Sequence, residues 1–164
     1  MREPVSRIAC AVLLSIASGA CAERIPEPAV VPSVPHISWL IASHEGNGNE
    51  QVVCQSDPRT ECVLPVGSGE TRRMATVHLY LHPSGIETRY VGTMQVGFMN
   101  GSPEPHDTRV NSTVTPGSSP VNVSVTGLVT SRPGTYPMTI ALSAETSTTQ
   151  RPLDIRETLS VTVK

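Results

Sequence analysis

The chain has 164 residues, a formal net charge of −2 and 3% aromatic residues, so its core must be built mainly from Val, Ile, Leu and Met. Its single lysine is the last residue, Lys164, which excludes mechanisms that need a lysine, such as P-loop nucleotide binding and Schiff-base chemistry. Arg72-Arg73 is the only pair of adjacent basic residues, which excludes the basic stripe of a nucleic-acid-binding surface.

Residues 1–22 have the order of an export signal. Arg2 and Arg7 precede a short apolar run from Ile8 to Ile16, and small residues then lead to Cys21. Because the run is too short to cross a bilayer, it is typical of a signal peptide and not of a membrane anchor. The sequence therefore predicts that the working protein is exported.

Ser18-Gly19-Ala20-Cys21 resembles the lipobox of bacterial lipoproteins, in which the cysteine becomes the lipidated first residue. The resemblance implies several acyl chains on Cys21, which hold a membrane far better than one chain does. Ala22 in the next position resembles lipoproteins sent to the outer membrane, where they face the periplasm or the surface. The alternative is an A-x-A signal-peptidase site, Ala20-Cys21-Ala22, which gives a soluble periplasmic or secreted protein.

Residues 23–35 follow as a predicted tether, with prolines at positions 26, 28, 32 and 35. Proline fixes φ and cannot donate to a helix or a ladder, so such a run favours extended polyproline II. The remaining residues, 36–164, are long enough for one domain.

Short strands separated by turn residues are predicted along this whole domain. In the first half they cover Ile37–Ile41, Gln51–Gln55, Cys62–Val66, Ala75–His82 and Arg89–Met99. In Ala75–His82 the apolar residues fall on one face and Thr76, His78, Tyr80 and His82 on the other. The second half adds Val110–Thr115, Val121–Thr126, the alternating run from Tyr136 to Leu142, and Glu157–Lys164.

No window shows a convincing helical period, and strands at this spacing indicate a sandwich or a barrel. The segment from Arg132 to Ile140, with Pro133-Gly134-Thr135-Tyr136 followed by alternating apolar residues, is similar to the penultimate strand of bacterial immunoglobulin-like domains. With that resemblance, we predict an all-β, immunoglobulin-like antiparallel β-sandwich of about seven to nine short strands. A jelly roll and a small β-barrel are the alternatives. The resemblance implies a scaffold for binding or spacing and does not imply a chemistry.

Four cysteines reduce to one pair in the exported protein. Cys10 leaves with the signal, and Cys21 is either lipidated or removed, so Cys54 and Cys62 remain. In an oxidising compartment this pair is expected to form a disulfide; a redox pair is the alternative, although the spacing is not C-x-x-C. The polar insert between them, with Asp57-Pro58, predicts a turn. Its tip is our candidate binding loop, formed by Asp57, Pro58, Arg59, Thr60 and Glu61.

A metal site is the alternative use of the polar face of Ala75–His82. His78 and His82 share that face, but four residues of strand put their Cα atoms about 13 Å apart, too far to chelate one ion without ligands from neighbouring strands. Thioether sulfur suits Cu(I), which makes copper the metal to consider, given Met74, Met94, Met99 and Met138. The competing interpretation is a half-exposed polar face together with core methionines.

No catalytic motif emerges from the sequence. His44-Glu45 is not followed by the second histidine of H-E-x-x-H, and there is no G-x-S-x-G nucleophile elbow. We therefore expect no enzyme activity and no cofactor. The main function hypothesis is a non-catalytic, lipid-anchored interaction or structural module of the cell envelope that binds a protein partner. One alternative is a periplasmic copper-binding or carrier protein. The other is an accessory subunit of an envelope complex that pairs through an edge strand.

Overall fold

Alternation of apolar and polar residues produces nine strands within the residues that the structure describes. The computed structural model describes residues 35–44, 49–65, 72–98, 105–148 and 152–164. The strands are β1 Ile37–His44, β2 Glu50–Gln55, β3 Cys62–Leu64, β4 Arg72–Leu81, β5 Thr88–Gly97, β6 His106–Val114, β7 Val121–Thr130, β8 Gly134–Thr146 and β9 Leu153–Val163. The predicted signal peptide with Cys21, and residues 23–34 of the predicted tether, lie outside the described residues.

The strands form two sheets. One has four strands in the order β2-β1-β4-β7, and the other has five in the order β3-β9-β8-β5-β6. Within the described residues the two sheets do not close into a barrel, so the predicted β-sandwich is confirmed and the small β-barrel is set aside. If β1, β4 and β7 are compared with immunoglobulin strands A, B and E, then β5, β8 and β9 take the places of C, F and G in the opposite sheet.

One pairing departs from the predicted antiparallel arrangement. β3 runs parallel to β9, with Cys62 beside Val161 and Leu64 beside Val163. The Lys164 amide extends this ladder by donating to the Leu64 carbonyl at 3.1 Å. Parallel neighbours are far apart in sequence, so local alternation could not reveal this pair.

The core lies between the two sheets and is built as the alternation predicted. In β4 the inward residues Ala75, Val77, Leu79 and Leu81 are all buried, and in β5 so are Met94 and Val96. The corresponding residues of β8 and β9 complete this layer: Met138, Ile140, Leu142, Leu159, Val161 and Val163. The scarcity of aromatic residues is thus met by packed aliphatic side chains and methionines.

Several strands are longer than predicted because a partner strand continues beside them. β6 begins at His106, four residues before the predicted Val110, and its polar start pairs with β5 as far as Val96. β7 continues to Thr130, four residues beyond the predicted Thr126, beside β4. Backbone pairing therefore extends strands beyond the residues whose side chains signal them.

Candidate functional site

The Cys54–Cys62 disulfide joins the two sheets at one open side of the sandwich. Its Cα atoms are 4.8 Å apart, and both cysteines are buried. Cys54 belongs to β2 at the edge of the four-stranded sheet, whereas Cys62 belongs to β3 at the edge of the five-stranded sheet. The predicted disulfide is confirmed, but the loop it closes connects two sheets and does not form a hairpin within one.

Hydrogen bonds hold the backbone of this loop. The Thr60 amide donates to the Gln55 carbonyl at 3.0 Å, and the Gln55 amide donates to Thr60 Oγ1 at 3.0 Å. Ser56 docks on β1, because its amide donates to the Trp39 carbonyl and its Oγ accepts from the Trp39 amide. The predicted turn at Asp57-Pro58 is present, with a cis peptide bond. The loop therefore has a fixed frame.

The residues at the loop tip are exposed to solvent, although Thr60 Oγ1 also accepts the Gln55 amide within the frame. All five residues of the candidate binding loop are exposed: Asp57, Pro58, Arg59, Thr60 and Glu61. Within this short segment two carboxylates and one guanidinium are available to a partner. The structure thus places the predicted loop residues together at the surface, and their binding role stays a prediction.

A cleft of about 490 Å³ lies between the loop and β9. Arg59, Thr60 and Glu61 line it from the loop, and Thr158, Leu159 and Ser160 line it from β9. Trp39 and Cys62 complete the lining. Charges of both signs and three hydroxyl side chains line its walls, which suits a polar partner surface that offers both donors and acceptors.

Trp39 connects the sheets behind this cleft. Its indole Nε1 donates to Glu157 Oε2 at 2.8 Å, from β1 in one sheet to β9 in the other. Trp39 is 5% exposed, so this charge-assisted bond satisfies a buried donor. Sequence reasoning missed this pair. The available signal was Glu157 itself, a carboxylate on the otherwise apolar inward face shared by Ile155 and Leu159.

The imidazole rings of His36 and His82 lie beside the loop tip. His36 Nε2 lies 3.7 Å from Asp57 Oδ2, and the rings of His36 and His82 have centroids 4.4 Å apart. Ser38 Oγ lies 2.7 Å from His82 Nε2. Burial lowers the pKa of His82 below its ordinary value of 6.5, the nearby His36 lowers it further, and Asp57 opposes the shift.

We expect acid to destabilise the fold through His82. The unfolded chain takes up this proton near pH 6.5, whereas folded His82 takes it up only at a lower pH. Stability is therefore lost as the pH falls through 6.5 towards the lower folded pKa, and it is retained above 6.5. Chemical denaturation at several pH values should show this slope, and it should be shallower in His82→Gln.

A direct measurement on His82 can contradict that expectation. Its imidazole should titrate below the same group in the denatured chain when both are followed by NMR. A folded pKa equal to the denatured value would remove the effect, and a folded pKa above it would reverse the sign. Equal pH slopes for the wild type and His82→Gln would exclude His82 as the source.

The two histidines of the metal hypothesis face different neighbours. His78 Nδ1 accepts from Asn122 Nδ2 at 3.0 Å, whereas His82 contacts Ser38 and His36. Across the described ranges, no group of three or more His, Cys, Asp or Glu side chains could hold a metal ion. Copper binding by His78 and His82 stays a prediction.

The methionines of the same hypothesis are mostly core residues. Met94 and Met138 are buried between the sheets, as the competing interpretation expected. Met74 is 40% exposed on the outer face of β4, and Met99 lies outside the described residues. The two buried thioethers fill the core and are not presented to a metal from solvent.

A polar cluster that sequence reasoning missed lies on the outer face of the four-stranded sheet. Glu50 places Oε1 3.6 Å from His44 Nε2 and Oε2 3.5 Å from His78 Nε2. His44 Nε2 also lies 2.6 Å from Thr76 Oγ1, which is 2.8 Å from Thr126 Oγ1. These residues come from β2, β1, β4 and β7. Their proximity depends on strand order, and no spacing along the chain signals it.

Comparison with family models, with curated proteins and with solved structures finds no match for this chain. Within the described residues, no helix has the length and apolarity needed to cross a membrane.

Proposed function

We propose that this chain is a non-catalytic interaction module of the cell envelope, exported and anchored through a lipid on Cys21, with the disulfide-closed loop as its recognition surface. The single observation that carries this proposal is the contrast within the loop. Its backbone is held by the disulfide and by hydrogen bonds to Trp39, while its five tip side chains are exposed. A surface ordered before binding loses little further entropy when a partner docks.

The adjoining cleft supports a protein partner over a small apolar ligand. Arg59 and Glu61 offer opposite charges, and Thr158 and Ser160 offer hydroxyls on the facing wall. Pockets for small ligands are lined mostly by apolar and aromatic side chains, whereas the rims of protein interfaces are polar. The disulfide agrees with the export signal, since disulfides persist in oxidising compartments.

The loop can be tested with the triple variant Asp57→Ala, Arg59→Ala, Glu61→Ala. Full-length wild type and variant, each tagged and produced in the native host, are crosslinked gently, and captured envelope proteins are quantified by mass spectrometry. We expect the captured amount of the partner that binds the loop to be at least about tenfold lower for the variant. This decrease corresponds to the loss of one or two strong interface contacts.

A matched control replaces the same residue types elsewhere on the surface. Asp154→Ala, Arg109→Ala, Glu145→Ala changes the net charge equally and removes three exposed side chains from the five-stranded sheet. Capture should stay within about twofold of the wild type, as expected for energetically neutral surface positions. Equal loss in both variants, or no loss in either, would reject the loop as the recognition surface.

A further inference from the structure

Strand β7 forms an edge of the four-stranded sheet, on the opposite side of the sandwich from the disulfide. All ten of its residues pair with β4 in one continuous register, from Arg72↔Thr130 to Leu81↔Val121. Within the described part of the chain, β4 is its only strand neighbour in that sheet. The far side of β7 is therefore a long, regular edge.

The direction of its free backbone groups follows from one hydrogen bond. The His82 amide donates to the His36 carbonyl at 3.0 Å, so even-numbered residues of β4 direct their backbone groups towards β1. The odd-numbered residues of β4 then direct their backbone groups towards β7. The register pairs them with odd-numbered residues of β7. The even-numbered residues of β7 consequently present their N–H and C=O groups to the far side: Asn122, Ser124, Thr126, Leu128 and Thr130.

A groove of about 520 Å³ runs beside this edge. Ser124, Val125 and Thr126 form one wall, and the start of β6, residues 105–108, forms the other. The open backbone groups of Ser124 and Thr126 thus lie where an added strand would be received. Addition of a strand to an exposed edge obtains its affinity from main-chain hydrogen bonds.

The other edges carry features that discourage strand pairing. β6 has His106, Asp107 and Arg109 along nine residues, and β3 has only three residues. β2 begins at the charged Glu50, and its register with β1 shifts between Ile41 and Ala42. Charges, bulges and short length are the usual protections of edge strands. β7 has none of them, because its ten residues include no charged residue and no proline.

We propose that β7 pairs with β7 of a second copy of this chain, in antiparallel orientation about a two-fold axis. A two-fold axis places each β7 beside the same segment of the other copy. A charged segment would then lie beside its own charges, whereas the uncharged β7 meets no like charge in any register. Its valines and threonines are strong strand formers, so both partners are already in the required conformation. The two four-stranded sheets become one sheet of eight strands.

Sedimentation velocity of the full chain, purified in density-matched detergent, tests this pairing. The wild type should shift from monomer to dimer as its concentration rises from about 10 µM to about 500 µM, as mass action requires. Ser124→Pro removes an outward N–H without touching the β4 ladder, and Ser124→Lys adds the charge that protects natural edges. Both should raise the dimer dissociation constant at least about tenfold.

Val52→Lys is the matched control, since it adds the same charge on β2 at the opposite edge of the same sheet. Its dissociation constant should stay within about twofold of the wild type. Ser124 is exposed, so Ser124→Lys decides the question even if the proline variant fails to fold. A wild type that stays monomeric throughout, or a dimer weakened by Val52→Lys and not by Ser124→Lys, would overturn the proposal. Pairing with a different protein alone would overturn it too.

Discussion

Replacing Cys54 and Cys62 together by alanine is expected to lower the free energy of unfolding by about 2–3 kcal/mol. The closed loop spans nine positions, counted from Cys54 to Cys62, and a loop of this size gives roughly that value from chain entropy. For a domain of this size, the melting temperature should fall by about 10 °C. Urea denaturation of the double variant beside the oxidised wild type measures the difference.

Reduced wild type is the appropriate control, because it keeps both buried sulfur atoms and loses only the bond. If the bond itself stabilises the fold, the reduced protein and the double alanine variant should have similar unfolding free energies. If the reduced protein keeps full stability while the alanine variant loses it, packing of the sulfur atoms is responsible. Full stability in both would show that β2 and β3 hold their places without the link.

Gly92→Ala is expected to destabilise the protein by about 3 kcal/mol, at the upper end of the usual range for overpacking. Gly92 lies in β5 directly opposite Ala144 of β8. A Cβ on Gly92 would lie 2.1 Å from the Ser143 carbonyl oxygen and 2.5 Å from Ala144 Cα. Because both obstacles are backbone atoms, the clash can be relieved only by moving β5 away from β8.

Gly85→Ala provides the comparison for that substitution. Nothing lies within 4 Å of a Cβ built on Gly85, and the residue is exposed. Its unfolding free energy should stay within about 0.5 kcal/mol of the wild type, as for most surface changes. Thermal and urea denaturation of the two variants side by side give the difference. Similar stabilities for both variants would mean that β5 and β8 separate at little cost.

The sequence predicted the features that depend on near neighbours along the chain. Period-two alternation identified the inward face of β4 correctly, down to Val77 and Leu79, because each strand must bury one face whatever its partner is. The Cys54–Cys62 bond followed from counting cysteines in a chain that has a predicted export signal. The turn at Asp57-Pro58 followed from turn-forming residue types.

Features that depend on strand order could not be read in the same way. β2 and β3 belong to different sheets because of the order in which all the strands pair, and a local sequence pattern does not contain that order. For the same reason Trp39 and Glu157, which are 118 positions apart, gave no sign of meeting. The cluster of His44, Glu50 and His78 likewise forms only after β1, β2 and β4 have paired.

Trp39 is the only tryptophan in the chain, so its contact with Glu157 makes it an intrinsic optical reporter. Its emission can be excited without interference from another indole. The ring lies between the sheets and also lines the cleft beside the disulfide loop. Trp39 fluorescence therefore follows two events in the unlabelled protein. Separation of the sheets should shift the emission maximum to the red, whereas a ligand that enters the cleft should change the emission intensity while the sheets stay together.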